Sequence, residues 1–122
     1  MAKIILTNNP LVDKKYSKYY EVKYFDVEYL EVLQKARDHI HIGHKLLTHP
    51  LSGSIKPNET PYKSIIISKE KEKLDMESLM IIEESIQTAD KFINKIGKTS
   101  FIDKAKEDFQ VVDLSLIDGC FK

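Results

Sequence analysis

The sequence predicts an α/β domain: a three-layer sandwich built on a mostly parallel sheet of about four strands. Three observations predict it. Short apolar runs bounded by turn residues alternate along the chain with longer segments of helical periodicity. Gly43, Gly97 and the proline-bearing stretch from Pro50 to Pro61 fall between those segments. A length of 122 residues leaves room for a single domain, here residues 1–122.

The elements follow in order. Ile4-Ile5-Leu6 stops at Thr7-Asn8-Asn9-Pro10 and reads as a strand buried on both faces. Pro10 suits a first helical position and Asn9 can cap the turn ahead of it, which predicts a short helix from Pro10 to about Ser17. Glu21 to Phe25 alternates in polarity, as an edge strand does. Asp26 is the expected cap of a helix whose stripe is Tyr29, Val32, Leu33, Ala36 and Ile40, with Gly43 as its stop. Lys45-Leu46-Leu47-Thr48 reads as a third strand closed by Pro50. After a polar stretch from Pro50 to Tyr62, Lys63-Ser64-Ile65-Ile66-Ile67-Ser68 is the clearest strand.

The charged connector Lys69 to Lys73 leads to Asp75, which can cap a long helix with the stripe Leu79, Ile82, Ile86, Ala89, Ile93 and Ile96, ended by Gly97. Ser100 and Asp103 are spaced like a capping box, and Phe101, Ala105, Phe109, Val112 and Leu116 step as a helix does. A strand over Phe109 to Leu114 is the competing reading. Right-handed crossovers would put helices on both faces of the sheet, giving a reduced, Rossmann-like doubly wound domain.

Composition narrows the function. Lys plus Arg and Asp plus Glu are 19 each, a balance that argues against nucleic acid or an anionic membrane surface as partner. There is no apolar run of the ~18 residues that a bilayer span needs, and the first residues are too short an apolar stretch for a secretory signal. Cys120 is the one cysteine, which fits a reducing cytoplasm. None of the four glycines forms a Gly-x-Gly pair, so no nucleotide-binding pattern is present and no cofactor is expected.

In open α/β sheets ligands bind beyond the carboxyl ends of the strands. Here those ends are Thr7-Asn8-Asn9, Asp26 and Thr48-His49, and parallel strands would bring them to one edge. The Pro50–Tyr62 loop is long for a compact domain and stiffened by its prolines. Ser52, Gly53, Ser54 and Lys56 offer hydroxyls, open N–H groups and a positive charge, a set that suits a carboxylate or phosphate; the alternative is plain turn chemistry. The candidate ligand-binding residues are therefore Thr7, Asn8, Asn9, His49, Ser52, Gly53, Ser54, Lys56, Asn58, Thr60 and Lys63. His49 is placed to orient a ligand or move a proton, but no nucleophile–base–orienter trio can be assigned. His39, His41 and His44 are close in sequence, yet two of them point to different helix faces and no Cys or carboxylate set completes a shell, so no metal is expected. Tyr16, Tyr19, Tyr20, Tyr24 and Tyr29 read as half-buried packing, with a partner surface as the sharper alternative. Ile81 and Phe92 widen the apolar arc of the long helix, against the terminal helix or a second copy in a homodimer.

Three segments together carry a resemblance: Leu6-Thr7-Asn8-Asn9-Pro10-Leu11-Val12, Gly43-His44-Lys45-Leu46-Leu47-Thr48-His49-Pro50-Leu51-Ser52-Gly53-Ser54, and Lys56-Pro57-Asn58-Glu59-Thr60-Pro61-Tyr62-Lys63-Ser64. They resemble the GrdX family, small proteins encoded beside glycine, sarcosine and betaine reductase genes of anaerobic, amino-acid-fermenting bacteria. The resemblance implies an anaerobic cytoplasmic setting and a link to those reductases. It implies no catalytic residues, and the chain has no Cys-x-x-Cys for redox chemistry of its own. The leading expectation is a non-catalytic accessory or regulatory protein that binds reductase subunits. The alternative is a sensor of a small anionic ligand, or a minor enzyme, at the same edge.

Overall fold

The computed structural model describes residues 2–97 and 103–121. Ser100, Phe101 and the Asp103 side chain of the expected cap lie outside them. The chain forms β1 (Lys3–Thr7), α1 (Pro10–Tyr16), β2 (Glu21–Tyr24), α2 (Tyr29–His41), β3 (Ser64–Ser68), α3 (Met76–Asp90, continued by a π-helical turn over Lys91–Ile96) and α4 (Asp103–Gly119). The sheet order is β2-β1-β3, with β2 parallel and β3 antiparallel to β1.

This corrects the expected sheet: it has three strands and mixed direction, where a mostly parallel sheet of about four was predicted. The Lys45–Thr48 segment explains the difference. It runs antiparallel beside β3, and so in the direction of β1, but it makes only the single bridge Leu46 to Ile67. Polar side chains take the places of ladder partners: Ile66 N–H donates to Thr48 Oγ1 at 3.1 Å, and Leu46 N–H donates to Ser78 Oγ at 3.0 Å. Two backbone bonds remain, from Leu47 N to Ile66 O and from Ser68 N to Lys45 O, each 2.9 Å. The segment therefore covers the outer edge of β3, which is why an edge strand is buried at all five residues. The chain then crosses the carboxyl edge of β1 before β3 begins, and β3 must return antiparallel.

Alternation along β1 and β3 divides the core. Ile4, Leu6, Ile65 and Ile67 pack against α2 and α3, where Val32, Leu33, Ala36, Ile40 and Ile82 are fully buried. Ile5 and Ile66 face the other way, against Val12 and Tyr16 of α1 and Ile117 of α4. A fully buried side chain of this size contributes roughly 1.5–3 kcal/mol, so these positions dominate stability.

Local signals set most boundaries. Asn9 caps α1 by accepting from Leu11 N at 3.0 Å, and Asp75 caps α3 by accepting from Ser78 N at 3.0 Å. Gly43 and Gly97 take φ of 111° and 104°, where a side chain would be strained. Asp26 is not the cap of α2; that position is Glu28, without a side-chain cap bond. The terminal segment is helical, which removes the strand alternative, but its buried face differs from the expected stripe. Asp113 and Ile117 are buried, whereas Val112 is 41% exposed. The π turn also rotates Ile96 out of the α3 stripe to an exposed position.

Candidate binding site

The carboxyl end of β1 and the segment entering β3 meet through Asn8. Its Nδ2 donates to Val27 O at 2.9 Å and to Pro61 O at 2.8 Å, while its Oδ1 accepts from Lys63 N at 2.8 Å. One buried side chain thus fastens β1, the approach to α2 and the end of the long loop. Asn9 works on the other side, donating through Nδ2 to Gln110 O at 2.9 Å and Asp113 Oδ2 at 3.0 Å.

A directed chain of hydrogen bonds joins the two strands to α4. Asn9 N donates to Thr7 Oγ1 at 2.9 Å, Thr7 and Ser64 hydroxyls meet at 2.7 Å, and Ser64 Oγ donates to Asp113 Oδ2 at 2.8 Å. Because the Ser64 proton goes to the carboxylate, the Thr7 hydroxyl is the donor in the middle step. Burial pushes the Asp113 carboxyl above its ordinary pKa, opposed by the bonds from Asn9 and Ser64 and by the charge of Lys63.

Above this network lies an open cleft of about 730 Å³, whose walls include Asn8, Tyr24, Asp26, Asn58, Thr60 and Tyr62. It sits where β1 and β2 end, with the buried Tyr29 as part of its floor. Glu28, Glu31 and Asp26 make its walls rich in carboxylates, with Lys106 among them. Tyr24 is 39% exposed, and burial followed by the Asp26 charge raises its phenol pKa.

The expected binding residues divide into groups. Thr7, Asn8, Asn9, Thr60 and Lys63 are buried around the network, and Asn58 lines the cleft, donating from Nδ2 to Gly97 O at 3.1 Å. Ser52, Gly53, Ser54 and Lys56 do not join them at the cleft. Ser52 and Ser54 share a hydrogen bond of 2.9 Å, and the Lys56 ammonium lies 5.6 Å from the centre of the Phe92 ring. His49 and Ser52 instead line a second, smaller cavity with Thr48, Lys63, Asp113 and Cys120.

His39 and His44 serve the fold. His39 Nδ1 contacts Lys35 O and His44 Nδ1 contacts Ser68 O, each at 2.7 Å. Burial, with help from Lys23 and His44, lowers the His39 pKa against the pull of its Lys35 backbone bond. Among the described residues no group of three or more His, Cys, Asp or Glu side chains gathers as a metal site would require. No helix among them is long and apolar enough to cross a membrane. The tyrosines also separate: Tyr16 and Tyr20 stack on Phe121 at 4.9 Å, Tyr16 OH donates to Asp118, Tyr19 is exposed, and Tyr24 is in the cleft.

Sequence reasoning missed Asp113, Gln110, Glu28 and Glu31 as parts of the site, and it placed Asp26 and Tyr62 at the edge without a binding role. Asp113 had a readable signal, since it lies four residues before the buried Ile117 on one helical face. Gln110, which donates to Tyr62 OH at 2.8 Å, had none. No curated protein and no solved structure matches the chain. A family model described as GrdX-like protein matches residues 4–122, and the chain belongs to that family.

Proposed function

We propose that the protein acts by binding, as an accessory or regulatory component of a glycine, sarcosine or betaine reductase system in the cytoplasm of an anaerobe. Family membership supports the reductase link, and the carboxylate-lined cleft at the ends of β1 and β2 supports recognition as the mode of action. The single observation that carries the reading is the framing of that cleft. Asn8 fixes its floor from three sides, so Tyr24 and Asp26 project from a rigid support. Acidic walls beside an exposed aromatic suit a basic segment of a partner subunit.

The test is anaerobic recovery of reductase subunits on the immobilised protein. The wild type should retain a subunit, and Asp26→Lys combined with Tyr24→Ala should lose it with an unchanged thermal midpoint. Recovery of no subunit by the folded wild type removes the proposal.

A further inference from the structure

We propose that the cleft takes a cation bearing N–H donors, the ammonium or guanidinium of a lysine or arginine side chain, and that Asn58 distinguishes it from a cation without N–H. This rests on the reading of the cleft as a recognition surface and names the chemical group recognised there.

Asn58, a residue of the cleft wall, holds an orphaned acceptor. Among the described residues its Oδ1 is the only buried side-chain oxygen or nitrogen without a hydrogen-bond partner. The amide nitrogen is used, donating to Gly97 O at 3.1 Å. Exchanging the two atoms gives no relief, since it would set an oxygen against the Gly97 carbonyl. An enclosed carbonyl without a donor is costly, so the position calls for an N–H or O–H from outside the chain. Neighbouring polar groups are engaged with one another. Asn8 gives its amide hydrogens to Val27 O and Pro61 O, and Thr60 Oγ1 accepts from Tyr62 N.

Charge selects the kind of donor. Asp26, Glu28 and Glu31 line the cleft against one ammonium, that of Lys106. Asp26 and Glu31 enter no salt bridge among the described residues. This excess of negative charge repels an anion and draws a cation, and the rings of Tyr24 and Tyr62 offer the same preference. Carboxylates and ring faces attract a quaternary cation as well as an ammonium. The three acidic residues are exposed, so water makes good any hydrogen bond a ligand leaves unmade there. At the enclosed Asn58 carbonyl no such replacement exists, and the N–H is felt in full.

Because Oδ1 is closed to water as the side chain stands, the ligand reaches it by a turn of the amide. The tether permits this: it is a single bond, made to the exposed Gly97 that caps the π-helical turn. The same turn supplies Ile93 to the cleft wall, and π-helical turns recur at functional sites.

The probes are the N-acetyl amides of lysine, arginine, Nε-trimethyllysine and norleucine, titrated into the isotope-labelled full chain. The readouts are the NMR signals of the Asn58 side-chain amide and the Tyr24 backbone amide. The lysine or arginine probe should shift both signals to saturation, trimethyllysine should bind severalfold more weakly, and norleucine should not bind. Asn58→Leu, followed at Tyr24, should bind lysine and trimethyllysine alike. The proposal is overturned if neither lysine nor arginine moves the Asn58 signals, if trimethyllysine or norleucine binds as tightly as they do, or if Asn58→Leu keeps the preference for N–H. The wild-type comparison decides the matter even if the variant does not fold. No reductase subunit enters these titrations. Absence of the preference with subunits still recovered breaks this inference alone, and the reverse result breaks the reductase reading alone.

Discussion

The irregular stretch between α2 and β3 is held near its two ends by different means, and its turn at residues 52–56 is held by neither. At the start, Gly43 takes a φ of 111° and accepts from Glu72 N at 3.0 Å, so the anchor is bare backbone. At the finish, Asn8 supplies three side-chain bonds from another element. Between them, Ser54 N donates to Ser52 Oγ at 3.2 Å and Lys56 N to Glu59 Oε1 at 2.9 Å, bonds that join near neighbours only. Polar residues of similar type thus have different weight. A bond that spans 55 residues, as from Asn8 to Lys63, fixes the fold. One that spans two or three shapes a turn.

Three variants sharpen this contrast. Gly43→Ala should be the most damaging, since an added Cβ would lie 2.3 Å from Glu72 O in a conformation L-residues avoid. Strain and overpacking together predict a loss of roughly 2–5 kcal/mol in urea unfolding. A loss below 1 kcal/mol by the same measurement would mean the backbone anchor is dispensable, against the ~1–3 kcal/mol expected from strain alone.

Asn8→Ala comes next. It strips partners from Lys63 N, Val27 O and Pro61 O, and partial hydration of the gap should limit the cost to roughly 2–3 kcal/mol. Hydrogen exchange should show the Lys63 amide opening well ahead of the centre of β1. Equal protection in the variant would show that Asn8 is not the fastener.

Smallest of all, Ser52→Ala with Ser54→Ala should change stability by no more than about 0.5 kcal/mol, because both side chains bond only within an exposed turn. A loss comparable to that of Asn8→Ala would erase the distinction between the two halves of the loop.

Much of this was legible before the structure. The stripe Tyr29, Val32, Leu33, Ala36 and Ile40 is the buried face of α2, and Asn9, Asp75 and Gly97 mark helix ends as their chemistry suggests. Caps and stripes act within about four residues, so local sequence contains them. The direction of β3 was not legible. Lys45–Thr48 has strand composition and the expected heading, and what demotes it is the capture of ladder N–H groups by Thr48 and by Ser78, a residue 32 positions away from Leu46.

The site follows the same division. Sequence placed the Asn8–Asn9 turn and the long loop at one edge, and Asn8 does join them. It gave the hydroxyls and Lys56 of residues 52–56 to that edge, whereas the cleft is walled by Tyr24, Asp26, Asn58 and Tyr62. By itself, then, the chain's order of residues determined the caps of α1 and α3, the stop at Gly97, the buried face of α2 and the family to which the molecule belongs, but neither the start of α2 nor the buried face of α4. Tertiary structure alone decided the antiparallel return of β3, the fastening of Lys63 by Asn8 and the reach of α4 to Ser64 through Asp113. The reason is range: capping and periodicity are settled between near neighbours, while desolvation and long-span hydrogen bonds exist only after distant segments have packed.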